Sequence, residues 1–327
     1  MAADFEHRDN EHRAFEHRSV MRDEIVAVFE PVPPGVIVDA TVGGGGHSEG
    51  ILDSRPDVQV LGLDRDPVAL AAASERLARF GNRFSTHRCR FDDLAAAMEA
   101  VEVDKLSGAL FDLGVSSPQL DRAERGFSCR HDGPLDMRMD PDAQWSATDV
   151  VNGYPESELR RLIRKYGDER FASRIAGAIV AARPIETTTQ LAAIVTSAIP
   201  APARRTGGHP AKRTFQAIRI EVNGELDHLA PAIDAAIDAT VPGGRIAVLS
   251  YHSGEDRIVK EQLRLATGAC ECPPELPCVC GAVQTVRLVR GVRRTPTDEE
   301  RAANRRAASA RLRVAERTEP TRRGGGP

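Results

Sequence analysis

The chain has few aromatic residues, with three Tyr and one Trp among 327 positions. A surface that stacks many unpaired bases on rings is therefore not expected. Long apolar runs are missing as well. None approaches the roughly 20 residues that cross a bilayer, and residues 1–18 hold no apolar leader core. A cytoplasmic protein without a membrane partner is the expectation. A surplus of positive charge is also lacking. The net charge of -4 excludes a wholly basic coat and leaves room for local patches. Neither G-x-x-x-x-G-K-[ST] nor G-x-G-x-x-G occurs, so two common phosphate-binding loops are absent. Cysteine is scarce and uneven. Cys89 and Cys129 stand alone, while Cys270, Cys272, Cys278 and Cys280 form C-x-C-x5-C-x-C. Four thiolates so close could make a tetrahedral zinc site, but knuckles are spaced C-x2-C. A reduced surface loop rich in Pro273, Pro274 and Pro277 is the favoured reading over zinc, and no metal is expected.

What is present begins with Val36-Ile37-Val38-Asp39-Ala40-Thr41-Val42, followed by Gly43 to Gly46 and His47. An apolar strand ends in an acid and opens into four consecutive glycines. Such a turn adopts positive φ without penalty and lets a ligand lie against bare amides. Ser48-Glu49-Gly50-Ile51-Leu52 then starts a helix. Strand, glycine turn and helix N-terminus open a nucleotide-binding α/β unit.

The rhythm continues along the chain. Residues 20–29 have helical spacing, and residues 36–38, 58–64, 83–90 and 107–112 read as strands, with helices at 67–80 and 95–101. This alternation predicts a parallel, doubly wound sheet. From about 119 to 215 the stretches are helical and no strand is apparent. The α/β pattern resumes with a helix at 223–239, a strand at 244–250, and two last strands at 283–290 and 310–317. The expected organisation is a tail at 1–17 with a triple Glu-His-Arg echo, one α/β domain from 18–118 and 216–327, and a helical insertion at 119–215. Insertions at strand carboxyl ends line the ligand crevice of open sheets.

Asp64 ends the second strand about twenty residues after the glycines. An acid there suits two ribose hydroxyls and repels phosphate; capping of the helix at Pro67 is the plainer use. Asp112 ends the fourth strand and leads into Leu113-Gly114-Val115-Ser116-Ser117-Pro118-Gln119. An acid followed by Ser-Ser-Pro offers acceptors for a planar amine, as in amino-methyltransferases of nucleic acid, although an ordinary capped turn would read the same.

Several segments together resemble the bacterial 16S ribosomal RNA cytosine-N4 methyltransferase family. They are His17-x-x-Val20, the glycine turn from Asp39 to Ser48, Asp64-Arg65-Asp66-Pro67, and the run DLGVSSPQLDRAERGFSCRHDGPLDMRM from Asp112 to Met139. Arg213-Thr214-Phe215-Gln216-Ala217-x-Arg219 and Ser250-x-His252-Ser253-x-Glu255-Asp256-Arg257 extend the likeness from His17 to Arg317. Departures are small: Ala40, Val42 and Gly44 replace residues common in the family without removing a polar group. The cysteine cluster occurs in only some members.

The resemblance implies a Rossmann-like class I methyltransferase with a helical substrate-recognition insertion. It implies S-adenosylmethionine as methyl donor and a decoding-region cytidine of 16S ribosomal RNA, free or in the small subunit, as acceptor. Gly45, Gly46 and His47 then lie along the methionine part, Asp64 takes the ribose, Phe91 flanks the adenine, and Gln119 closes the site. Asp112 lies near the donor and, with Ser117 and Pro118, is the catalytic candidate. Phe91 read alone is a packing residue, and His47 a turn histidine. Basic clusters at Arg122, Arg125 and Arg130, at 160–165, at 204–213 and at 287–323 predict one basic side. Two rivals remain at this point. One is a nucleotide-dependent oxidoreductase, disfavoured by the Ser-Ser-Pro loop. The other is a ribosome-assembly factor that binds RNA and keeps the donor pocket as scaffold.

Overall fold

The protein is described from a computed structural model that covers residues 19–205, 208–270, 272, 281–304 and 306–322. The tail at 1–17, Cys278 and Cys280 lie outside these residues, as do the side chains of Ser117 and Pro118. Seven strands form one sheet: β1 (Gly35–Asp39), β2 (Val58–Asp64), β3 (Phe84–Arg88), β4 (Leu106–Asp112), β5 (Thr240–Ser250), β6 (Val283–Leu288) and β7 (Arg311–Arg322), in the order β3-β2-β1-β4-β5-β7-β6. The first five pair in parallel. The parallel, doubly wound arrangement expected from residues 36–112 is present, and at one edge, outside that stretch, β7 runs antiparallel to both β5 and β6.

Strand side chains alternate between faces, and the two faces have separate cores. Val38, Leu61, Phe111 and Val248 point to one, Ile37, Val60, Leu110 and Ala247 to the other. The second is covered by α1 (Arg22–Phe29) and α2 (Gly46–Ser54). Along the sheet follow α3 (Pro67–Leu77), α4 (Leu94–Ala100) and, at the tip of β4, the short α5 (Ser117–Asp121). Phe29 lies against the middle of β4, where a Cβ on Gly108 would sit 2.7 Å from its ring, so the strand carries no side chain there. The β strands do not extend as far as 83–90 suggested for the third, and they begin earlier than 244 for the fifth.

A helical cluster stands between α5 and the return to the sheet. It contains α6 (Ala147–Gly153), α7 (Glu156–Gly167), α8 (Ala172–Ala181), α9 (Thr188–Ala198) and α10 (Lys212–Asn223). In α7, Leu159, Leu162, Ile163 and Tyr166 recur at helical spacing and are buried, while Arg160, Arg161 and Arg164 face outward. Thr187 and Gln190 close a reciprocal capping box on α9. The cluster's own core draws on residues from Phe127 to Ile220.

The helix expected over 223–239 is corrected. Gly224 takes a left-handed φ of 60° and ends α10 at Asn223, and α11 (Leu229–Ala239) begins after a turn. Two further helices follow, α12 (Ser253–Ala266) and α13 (Asp298–Ala303). Among the described residues, no helix is long and apolar enough to cross a membrane.

Candidate active site

The carboxyl ends of β1, β2 and β4 open into one cavity of ≈ 920 Å³. The glycine turn forms its first wall. Gly43 (φ 50°) and Gly45 (φ 77°) adopt left-handed backbone that a side chain would strain. A Cβ on Gly44 would meet nothing within 4 Å, so that stretch of backbone is bare toward the cavity it lines. Gly45 stands behind the wall against Leu77, and Gly46 opens α2. Below the turn, Asp39 is buried and accepts from Ser48 Oγ at 2.6 Å. Burial pushes its pKa up to about 6, against the pull of Ser48 and His47.

His47 lines the cavity with its ring buried. Its Nε2 is 3.3 Å from Asp112 Oδ2, yet neither ring nitrogen has a hydrogen-bond partner. Asp64 Oδ2 accepts from Gly43 N–H at 3.1 Å, and Oδ1 accepts from Asp66 N–H at 2.9 Å. Burial raises the Asp64 pKa, and these two amides oppose that rise. Each oxygen keeps a lone pair for a ligand. Phe91 also lines the cavity and meets Phe111 edge-on, at 6.2 Å between ring centroids. It serves packing and wall together.

Asp112 is held from three directions. Its N–H donates to Thr41 Oγ1 at 2.7 Å, its Oδ1 accepts from Tyr251 Oη at 2.6 Å, and its Oδ2 faces His47. Burial first, then Asp112, pushes the Tyr251 pKa well above 10.0, so the phenol remains a donor. Gln119 is fixed at both ends of its amide. Oε1 accepts from Ser116 N–H at 3.0 Å, and Nε2 donates to Asp66 Oδ2 at 3.1 Å. The backbone of Ser117 and Pro118 begins α5 directly after this anchored loop. Cys270 and Cys272 lie far along the chain at the end of α12, and no His/Cys/Asp/Glu group fit for a metal occurs among the described residues.

The sequence reading missed Thr41 and Tyr251. Both carry hydroxyls next to quoted motif residues, but only the fold brings them to Asp112, 71 and 139 positions away. It also read arginines as one basic side. Arg125 is an internal strut instead. Arg125 donates to Asp66 at 2.8 Å and to the carbonyls of Arg138 and Met139. Arg213 and Arg287 stay exposed, although Arg213 donates to the carbonyl of Asp168 and Arg287 pairs with Glu316.

An open sheet of this order, with an antiparallel penultimate strand and a ligand crevice at the tips of β1, β2 and β4, defines a class I methyltransferase. The bare glycine turn, the unpartnered His47 nitrogens and the two open lone pairs of Asp64 fit its donor, S-adenosylmethionine. The profile of the MraW methylase family matches residues 14–318, and the chain belongs to that family. It is 49% identical over 304 residues to ribosomal RNA small subunit methyltransferase H of Heliobacterium modesticaldum, covering 91% of this chain and 97% of the relative. It is 51% identical over 308 residues to the enzyme of that name from Mycobacterium sp. strain KMS, covering 91% and 83%. The Thermobifida fusca enzyme is 50% identical over 307 residues, covering 91% and 92%. A solved rRNA methylase from Streptococcus thermophilus is 13% identical, with a TM-score of 0.40 over 91% of this chain and 94% of that one.

Proposed function

We propose that this methyltransferase transfers a methyl group from S-adenosylmethionine to the exocyclic N4 of a cytidine in the decoding region of 16S ribosomal RNA, in the cytoplasm. One observation carries the reading: the glycine turn, Asp64 and Asp112, from three separate strand ends, face one cavity. When bound, the donor supplies an electrophilic methyl group on a sulfonium.

The chain's own part is to bind and aim. Asp64 would take the ribose hydroxyls on its two open lone pairs, and Phe91 would flank the adenine. The amides of the glycine turn and the His47 ring would hold the methionine part. Asp112, fixed by Thr41 and Tyr251, would face the arriving acceptor amine. The Ser117-Pro118 turn that follows supplies acceptors for the two amine hydrogens. Their pull localises the nitrogen lone pair and points it at the methyl carbon. After transfer the amine is acidic and loses its proton to water, so no side chain need act as base. Alignment of this kind supplies about 7–11 kcal/mol of the barrier. The target base must leave its stack to enter.

Tritium transfer from labelled donor to small ribosomal subunits lacking the modification tests the reading. Label recovered in N4-methylcytidine is the expected result. Label in any other nucleoside, or none, overturns it.

A further inference from the structure

The cavity has a second wall that the methyl donor does not need. It is made by one face of α10 and by the turn between β5 and α12. Lys212, Gln216 and Arg219 are spaced to lie on one helical face, and all three line the cavity together with His252. We infer that this wall receives the extruded acceptor nucleotide: Lys212 meets its phosphate, Gln216 its ribose and His252 its base edge. The inference rests on the ribosomal RNA reading above, but assigns residues that reading does not use.

The polar groups are graded from rim to floor. Lys212 is exposed, and no ion pair engages it among the described residues. One helical turn onward, about 6 Å along the axis, Gln216 Nε2 donates to the Tyr166 carbonyl at 3.2 Å. That bond fixes the amide and leaves Oε1 as an acceptor for a 2′-hydroxyl, the group that separates RNA from DNA. Arg219 is not available for phosphate. Its guanidinium binds both oxygens of Glu225, each at 2.8 Å, and closes the floor.

His252 completes the wall. Its Nδ1 accepts the Glu255 N–H that starts α12, at 3.4 Å. With Nδ1 taken up as an acceptor, the ring hydrogen lies on Nε2. That atom is buried and has no hydrogen-bond partner; Glu255 Oε1 stands 3.1 Å away, outside hydrogen-bond geometry. A buried donor without an acceptor is costly until a ligand supplies one. Cytosine offers N3 and O2. The preceding residue is Tyr251, whose hydroxyl holds Asp112, so a base edge seated on His252 lies one residue from the group that faces the reacting amine.

The test measures the KM for small subunits, their affinity by co-sedimentation without donor, and donor affinity by calorimetry. The variants are Lys212→Ala, Gln216→Ala and His252→Asn, the last keeping a cap on α12. Each is expected to raise KM and weaken sedimentation roughly three- to tenfold, with donor affinity unchanged. Exposed Lys212 has no packing role, so its variant reports even if another loses thermal stability. Wild-type transfer together with unmoved KM and affinity in the variants overturns the inference alone. Donor affinity that falls in step with KM also overturns it, because the wall then belongs to the donor. A wild-type enzyme that labels no cytidine overturns the underlying reading first.

Discussion

At the strand tips, Asp64 accepts from Gly43 and Asp66, and Asp39 accepts from Ser48, so each bond joins residues at most 21 positions apart. Across the cavity, Arg65 donates to the Asn223 carbonyl, 158 positions away, and Met139 N–H donates to Asn223 Oδ1, 84 positions away. The first wall is set by backbone turns and one acid per strand end. The second is tied to the end of β2 by the Arg65 side chain and to the insertion through Asn223. The glycine turn and Asp64 hold their form through short-range bonds, while Asp112 at the third tip is fixed by Thr41 and Tyr251, 71 and 139 positions away.

Four substitutions break or sharpen that contrast. Asp64→Ala has the largest expected effect. It removes the acceptor proposed for two hydroxyls and orphans the Gly43 and Asp66 amides, so donor affinity by calorimetry should fall on the order of a thousandfold, and the thermal midpoint should drop by a few degrees. Next is Arg125→Ala, which strips the guanidinium from buried Asp66 and frees two carbonyls of the helical insertion. Urea titration should show a loss of about 3 kcal/mol, while the small-subunit KM rises more than the donor Kd does. Were the two constants to rise together, the walls would not be separately held.

Asp39→Asn comes third and reads the first wall through pH. The folded carboxyl has its pKa raised to about 6 against 3.8 for an ordinary one. Between those values the native state binds the proton more tightly than the unfolded chain does. Wild-type stability therefore declines as pH climbs from about 4 to about 6, by an amount on the order of 3 kcal/mol. The variant should lose this slope in denaturation curves taken across the window. The smallest effect is expected from Arg306→Ala. Its pair with Asp121 spans two segments that line the cavity, but both side chains are about a third exposed. Less than 1 kcal/mol should be lost in urea titration, and turnover should change by less than twofold.

The same contrast explains what could be read before the fold was known. The strand, the glycine turn and Asp64 form a local grammar, in which each feature sets the geometry of its neighbours. β1, β2 and β4 were legible for that reason. The reversed direction of β7 was not, because an apolar run looks alike whichever way it pairs. Nor was the break at Gly224, since a single glycine inside helical spacing does not announce its φ. Tyr251 and Thr41 were hidden because their partner lies far away in the chain. Arg125 was misread because a charge cluster in sequence carries no sign of whether its members turn inward to a carboxylate.

The cavity's boundary includes Ser19 and Val20 near one end of the described chain and Arg306 and Ser309 near the other. At synthesis rates of about 5–20 residues per second, roughly 15 to 60 seconds separate the making of these two margins. Through that interval the newborn sheet has no finished purse for its small-molecule partner, and mass action cannot yet favour the native form. The early strands must find one another unaided, which places the burden of first assembly on the apolar contacts between Phe29, Ile37 and Leu110.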